Sequence, residues 1–534
     1  MAAGFWEELS MLGDATEMPS YSFLREATRL QETKHQNALM DLLKKYKLTA
    51  NIPMTMLDIG NAKHPVLKPS DFISALSRER KLELLLCNHT GIDYQDFWHH
   101  WRLLQSDHPV FVHHSRRLRS CIPVWLFADE GTSIKKKAIL VLQYQPILGW
   151  GSKRAEDVNM RGVSTTTRFL FSVMSGKVYA GKKKKQEPLH DLVSAFATEM
   201  GSCFNTPIDV QGVPWTKKLY LICLGLKGDL AALVKLGKLS RNYMRDTATG
   251  IGPGICHLCK AGQEGCGWDE TDFLPMQRMK TNVPTPWLRE PSLISLIPVS
   301  PSKKAEFFRL DVFHILLKGV FGDICANAIV TCYDFQMFGN LSLDGLLQHI
   351  FEDLLGIKRA SNYPKAILSQ SWFKGADTST LCIYLESMLR DMLPIVPESH
   401  REYVNLIVAA LKNANLFMRT LLHSGLFLLE SERNTAIAAG SKVMSFFKRL
   451  AGMAYVMQLT RWKLQPKYHY MAEVIFAMEY EKQQDLPSLN PLSTATQLDE
   501  DFVGRVAGAS RTVSSRATHV RTIERFLLEL QLKW

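Results

Sequence analysis

The chain lacks any uninterrupted run of about 18 apolar residues, so a membrane span is not expected. Its first twenty residues, MAAGFWEELSMLGDATEMPS, lack the basic start and apolar stretch of a secretory leader, so none is expected. It also lacks a disulfide-type cysteine framework. The 10 cysteines are scattered over 534 residues, most inside apolar runs, where cysteine behaves as a small buried hydrophobe. That usage suits a reducing compartment. No internal repeat is evident. Acid is the scarcer charge, with Asp+Glu at 52 against Lys+Arg at 64, leaving a formal net charge of +12 and a pI near 9.1. The excess favours a polyanionic partner such as nucleic acid. Hydrophobic residues at 46% and charged residues at 22% exclude a disordered chain. The length exceeds one ordinary core, so two to four structural units are expected.

Periodicity divides the chain. Residues 1–115 carry apolar positions at three- and four-residue spacing, as in SFLREATRLQETKHQNALMDLLKKY, and predict helices. From Cys121 the period shortens. CIPVWLFADEG, KKKAILVLQYQPILGW and TTTRFLFSVMSGKVYA predict three strands, EPLHDLVSAFATEMGSCF an amphipathic helix, and KKLYLICLGLKGDL a fourth strand, all within 116–240. Residues 241–304 are rich in Gly, Pro and Cys and read as irregular. Residues 305–485 return to helical spacing. Residues 486–534 begin with acids and end in an arginine-punctuated helical tail.

Two strands end in aspartate: Asp129 in FADEG and Asp229 in LKGDL, 100 residues apart. Three strands, a helix and a fourth strand match the front half of an RNase H-like fold, in which the ends of strands one and four lie side by side. Carboxylates brought together there suit phosphodiester chemistry, because a pair of Mg²⁺ ions about 3.5–4 Å apart can serve both ends of an in-line displacement. Mg²⁺ takes hard oxygen ligands. Alternation along the strand should turn Glu130 to the other face. The blander reading is that both aspartates cap strand ends or turns. A third carboxylate would come from a later helix. Glu500 is preferred, with Asp499 and Asp501 as neighbours and Asp311 or Asp323 in reserve, although acids there also suit a helix N-terminus.

Cys256 and Cys259 form the only CxxC, in GIGPGICHLCKAGQEGCGW. A two-residue gap lets both thiolates reach one Zn²⁺. Completing ligands are sought among His314, Asp311, His257, Cys266 and, last, His469. Asp311 and His314 share a helical face at i and i+3. The alternatives are a hydrogen-bonded core histidine and a merely buried or redox cysteine pair.

Taken in order, FADEG, LKGDL, CHLC and LDVFH resemble the DDE transposases of the CACTA, Mirage and Chapaev group and their Plavaka-like relatives. The resemblance spans about residues 120–510. It implies an RNase H-like mixed-sheet α/β core interrupted by a large helical insertion. It matches Asp129 and Asp229 to the first two acids, Glu500 in EDFVG to the third, Cys256 and Cys259 to the CxxC, and Asp311 with His314 to the Asp-x-x-His. PKYHYMAEV, with His469, resembles a late histidine segment of that group. The implied activity is Mg²⁺- or Mn²⁺-dependent cleavage and strand transfer at transposon ends, in the nucleus, with DNA as partner, structural Zn²⁺, and room for a homo-oligomer. Lys182 to Lys185 and Arg505, Arg511, Arg516, Arg521 and Arg525 would then touch phosphates; otherwise they are a solvated surface. The chain has no N-terminal zinc finger or clear helix-turn-helix. That departure keeps a second expectation open: a transposon-derived DNA-binding protein that no longer cuts. A helical scaffold with structural zinc alone is a third.

Overall fold

The computed structural model describes residues 19–33, 36–133, 137–151, 157–179, 187–245, 252–360 and 375–534. The lysine run 182–185 lies outside these residues.

The N-terminal region departs from the all-helical expectation. Helices α1 (Pro19–Thr33) and α2 (Gln36–Lys45) are followed by an antiparallel hairpin, β1 (Thr55–Ile59) with β2 (Ala62–Val66), before α3 (Pro69–Arg78) and α4 (Gly91–Leu104). The Gly60-Asn61 pair closes the hairpin, with Gly60 at φ +58°, as two-residue hairpin turns require. A Thr90–Asp93 capping box starts α4. Trp98 in this helix donates to Cys121 O at 2.8 Å and so ties α4 to the sheet.

The sheet is mixed. Its strands are β3 (Cys121–Thr132), β4 (Ala138–Pro146), β5 (Phe169–Ser175), β6 (Ile208–Asp209), β7 (Lys218–Lys227) and β8 (Phe308–Arg309). In space they run β5-β4-β3-β7. β3, β4 and β5 pair antiparallel, and β3 pairs parallel with β7. The outer edge of β7 holds β6 antiparallel at its start and β8 parallel at its end. β3 is buried from Cys121 to Ala128, and β7 from Leu219 onward. Such near-continuous apolar runs belong to strands covered on both faces. Helix α5 (Glu187–Asn205) covers one face, where Phe196 stacks on Phe171 with ring centroids 4.3 Å apart. Helix α6 (Leu230–Gly237) leaves the end of β7.

After β8 the chain runs through a π-helical segment, Phe313–Val320, into α7 (Phe321–Asp334), then α8 (Leu343–Ala360), α9 (Gly375–Met392), α10 (Glu398–His423), α11 (Glu430–Val456) and α12 (Pro466–Gln483). Trp462 and Tyr403 seal this helical unit with a buried 2.7 Å hydrogen bond. Asn490 fastens its exit by donating to Leu421 O and Gly425 O, at 2.9 and 3.0 Å. Phe313–Asp334 has the length and hydropathy to cross a membrane, but 67% of that window is buried inside the protein. No other helix among the described residues passes that test. Helices α13 (Gln497–Ser510) and α14 (Thr518–Lys533) complete the chain.

Two glycines set how closely the parts meet at the end of β3. A Cβ on Gly131 would lie 2.5 Å from Ala507 Cβ, so the absent side chain lets α13 settle on β3. A Cβ on Gly228 would lie 2.9 Å from Ala128 O, so β7 can end directly beside β3.

Candidate metal centres

Asp129 and Asp229 each lie two residues beyond the last β3–β7 pair, Phe127 with Lys227, Asp129 still within β3 and Asp229 just past β7, and α13 brings Glu500 to the same place. The charges of Glu500 and Asp229 both act on Asp129, that of Glu500 the more strongly. Burial, then the charges of Glu500 and Asp229, push the Asp129 carboxyl up to about 8. Crowded acids of this kind are relieved by a cation. The capping role is present too: Asp229 Oδ1 accepts from Ala232 N at 2.6 Å and starts α6. Glu130 turns away as alternation requires, to the Tyr179 hydroxyl at 2.9 Å and to Lys235.

The three consecutive acids of α13 go three ways. Asp499 is fully buried; it accepts from Gln143 Nε2 at 2.8 Å and Arg168 Nε at 3.3 Å, and Lys227 Nζ lies 2.8 Å away. Glu500 faces His314 Nε2 at 3.4 Å and Lys318 Nζ at 3.6 Å. Asp501 accepts from Ser164 Oγ at 2.5 Å and Arg505 Nε at 2.8 Å. Asp323, half-buried on α7, is raised by burial and opposed by the charge of Lys467.

The expected zinc set is corrected. His314 faces Glu500, and Asp311 holds His314 and Thr496; neither belongs to the group around the cysteines. His314 Nδ1 donates to Asp311 Oδ2 at 2.5 Å, and its Nε2 is turned to Glu500 and Lys318. The thiols of Cys256 and Cys259 instead meet His469 and Glu473 from α12, four buried residues whose ligand atoms all lie within 4.8 Å of one another. Cys259 Sγ is 3.2 Å from His469 Nε2, and Cys256 Sγ 3.5 Å from Glu473 Oε1. Tetrahedral zinc at about 2.3 Å from sulfur and about 2.0 Å from nitrogen or oxygen has edges of about 3.3–3.8 Å, so the set is close to one ion's span. The surroundings are built as well. Leu258 N and Ala261 N donate to the two sulfurs at 3.3 and 3.4 Å. Trp268 O takes the His469 Nδ1 hydrogen at 3.0 Å and turns Nε2 inward, as outer partners of a ligand histidine do. Lys280 Nζ holds Glu473 Oε2 at 2.5 Å. Burial opposes ionisation of Cys256, yet hydrogen bonds with Cys259 and His469 hold its thiol below the usual range. Burial likewise opposes charge on His469, which contacts with Cys256 and Glu473 raise.

His257 lies beside the pair but points away, bonding Phe308 O at 2.8 Å and tying the cysteine loop to β8. Cys266 stays outside the group. Glu473 was not among the sequence candidates; its signal was the i, i+4 spacing from His469 on one helix. Four of the five tail arginines bond within the chain: Arg505 to Asp501, Arg511 to Thr132 O, Arg521 to Glu524 and Arg525 to Ala509 O. A cavity of about 630 Å³ between α11 and α12, lined by Phe273, Phe476, Tyr468 and Lys448, contains none of the carboxylates at the end of β3 and none of the four metal-group residues.

No protein-family model and no curated protein matches this chain.

Proposed function

We propose that this chain is a DDE-transposase-like DNA-processing protein with an RNase H-like core, split by the helices between β8 and α13. What carries the reading is the meeting of Asp129, Asp229 and Glu500. The first two stand just past the point where the parallel pairing of β3 and β7 stops, and the third arrives on a helix laid over β3. The strand order β5-β4-β3-β7, with β8 parallel and the two-residue β6 antiparallel on the outer edge of β7, β3 first in sequence and only β4 antiparallel to its neighbours on both sides, supports it.

On this reading Asp129, Asp229 and Glu500 hold Mg²⁺ or Mn²⁺. The metal supplies activation of a water or 3′-hydroxyl and stabilisation of the leaving oxygen. The chain's own part is positional. The β3–β7 ladder fixes the spacing of the two aspartates, and the α6 cap fixes the rotamer of Asp229. His314, oriented by Asp311, holds Glu500 toward them. Lys318 brings a positive charge to the same place, where a scissile phosphate would lie. Cys256, Cys259, His469 and Glu473 hold a structural Zn²⁺ that pins the cysteine loop to α12. DNA is the partner and the nucleus the place of work.

The test is incubation of labelled DNA with Mg²⁺ or Mn²⁺, using the wild type beside an Asp129→Ala/Asp229→Ala variant. Cleavage by the wild type alone is expected. Equal products from both, or none from either, overturn the nuclease reading. DNA binding retained without cleavage would point to the non-cutting, transposon-derived alternative.

A further inference from the structure

Asp129 and Asp229 each follow by two residues the last pair of the β3–β7 ladder, Phe127 with Lys227, which holds their separation. Glu500 has no such support, because it arrives on a helix from far downstream. Its rotation about the helix axis must be fixed by something else, since successive helical residues diverge by about 100°. The preceding residue supplies the constraint. Asp499 is wholly buried and reached from three elements of the sheet region: Gln143 on β4, Arg168 just before β5, and Lys227 at the end of β7. Lys227 stands two residues before Asp229 and also donates to Ala495 O at 3.0 Å, just ahead of α13. A second arm reaches the same helix start, where Thr496 Oγ1 donates to Asp311 Oδ2 at 2.6 Å. Arg168, Lys227, Asp499 and Asp311 are each at most 2% exposed, and their formal charges cancel. An apolar cluster would hold the helix down with less desolvation, but directional bonds also select one angle about its axis.

We propose that Asp499 is a positioning residue: clamped by Gln143, Arg168 and Lys227, it sets the rotation of α13 that brings Glu500 to Asp129 and Asp229. This rests on the function proposed above.

The test uses the full chain and Asp499→Asn, which keeps the shape and removes the charge. Mn²⁺ binding is followed by electron paramagnetic resonance, and cleavage of labelled duplex at saturating Mn²⁺, with DNA affinity and melting temperature recorded alongside. The expected result is a fall of about 10–100-fold in Mn²⁺ affinity or turnover, with the DNA KM within about twofold of wild type. Gln143→Leu removes one clamp without stranding a charge. It should show a smaller loss of the same kind, and it decides the matter if Asp499→Asn does not fold. Variants matching wild type in Mn²⁺ affinity and turnover overturn the proposal. So do variants whose losses merely follow their melting temperature and DNA affinity. A wild type that neither binds Mn²⁺ nor cleaves overturns the underlying function instead.

Discussion

Zinc should bind at Cys256, Cys259, His469 and Glu473 and stabilise the fold. A ligand that binds only the folded state, at about 1,000 times its Kd, contributes about 4.1 kcal/mol. Unfolding entropy is about 2.1 cal/mol/K per residue. For 534 residues melting together that is about 1.1 kcal/mol/K, giving a rise of about 4 °C. If only the helical unit, roughly 180 residues, melts around the site, the same energy raises its transition by about 11 °C. The assay is thermal melting of chelator-treated protein with and without zinc, with metal content read by mass spectrometry. One zinc per chain is expected, and Cys259→Ser and His469→Ala should each abolish both the metal and the shift. Affinity should weaken as pH falls, because binding needs both thiols deprotonated and His469 neutral. Undiminished zinc and an undiminished shift in a Cys256→Ser/Cys259→Ser variant would refute the assignment, as would no zinc in the wild type.

Lys280→Met leaves Glu473 without its cation in a buried setting; zinc affinity measured by competition with a chelator should fall about 10–100-fold, and an unchanged value would deny Lys280 that role. Gly131→Val drives a side chain into Ala507 and Val503 and should cost about 1–3 kcal/mol in denaturant unfolding, with loss of any cleavage; an unchanged midpoint would contradict the close packing of α13 on β3. Glu481 is pushed up to about 7, chiefly by burial. Between its ordinary value near 4.5 and 7 the folded carboxyl holds a proton that the unfolded one has released, so stability falls as pH rises through that window. Glu481→Gln should flatten this slope and stabilise the protein at pH 8 by at most about 3 kcal/mol; parallel stability curves for the two proteins would count against it.

The sheet was readable because β3, β4, β5 and β7 are almost continuous apolar runs, and both aspartates were visible as the residues where such runs stop. The hairpin Thr55–Val66 was not. It is short, carries Pro65 in its second strand, and lies within helical sequence, so only the Gly60-Asn61 turn marked it. The completion of the cysteine group was misread for a different reason. Asp311-x-x-His314 and His469-x-x-x-Glu473 are equally good same-face pairs on helices, and only the tertiary path decides which one reaches Cys256 and Cys259.

The three acids of α13 held more information than their adjacency suggests. The buried residues of that helix are Asp499, Phe502, Val503, Val506, Ala507 and Ser510, a three- and four-residue stripe that begins on an acid. That stripe puts Asp499 on the face turned to the core. A buried carboxylate must be paired, since isolated burial of its charge costs far more than a helix can supply. The sheet has the matching cations in Arg168 and Lys227. Breaking such a pair costs about 3–5 kcal/mol, so Asp499 is already committed and cannot serve a metal. One step round the helix, Glu500 falls at the edge of the stripe, near enough to the sheet to reach the strand ends and open enough to meet a substrate. A further step carries Asp501 to the exposed side, where it pairs with Arg505. Helical phase, set by the clamp on Asp499 together with the apolar stripe and the close approach at Gly131, is thus the physical quantity that separates three chemically similar acids into a clamp, a candidate ligand and a surface ion pair.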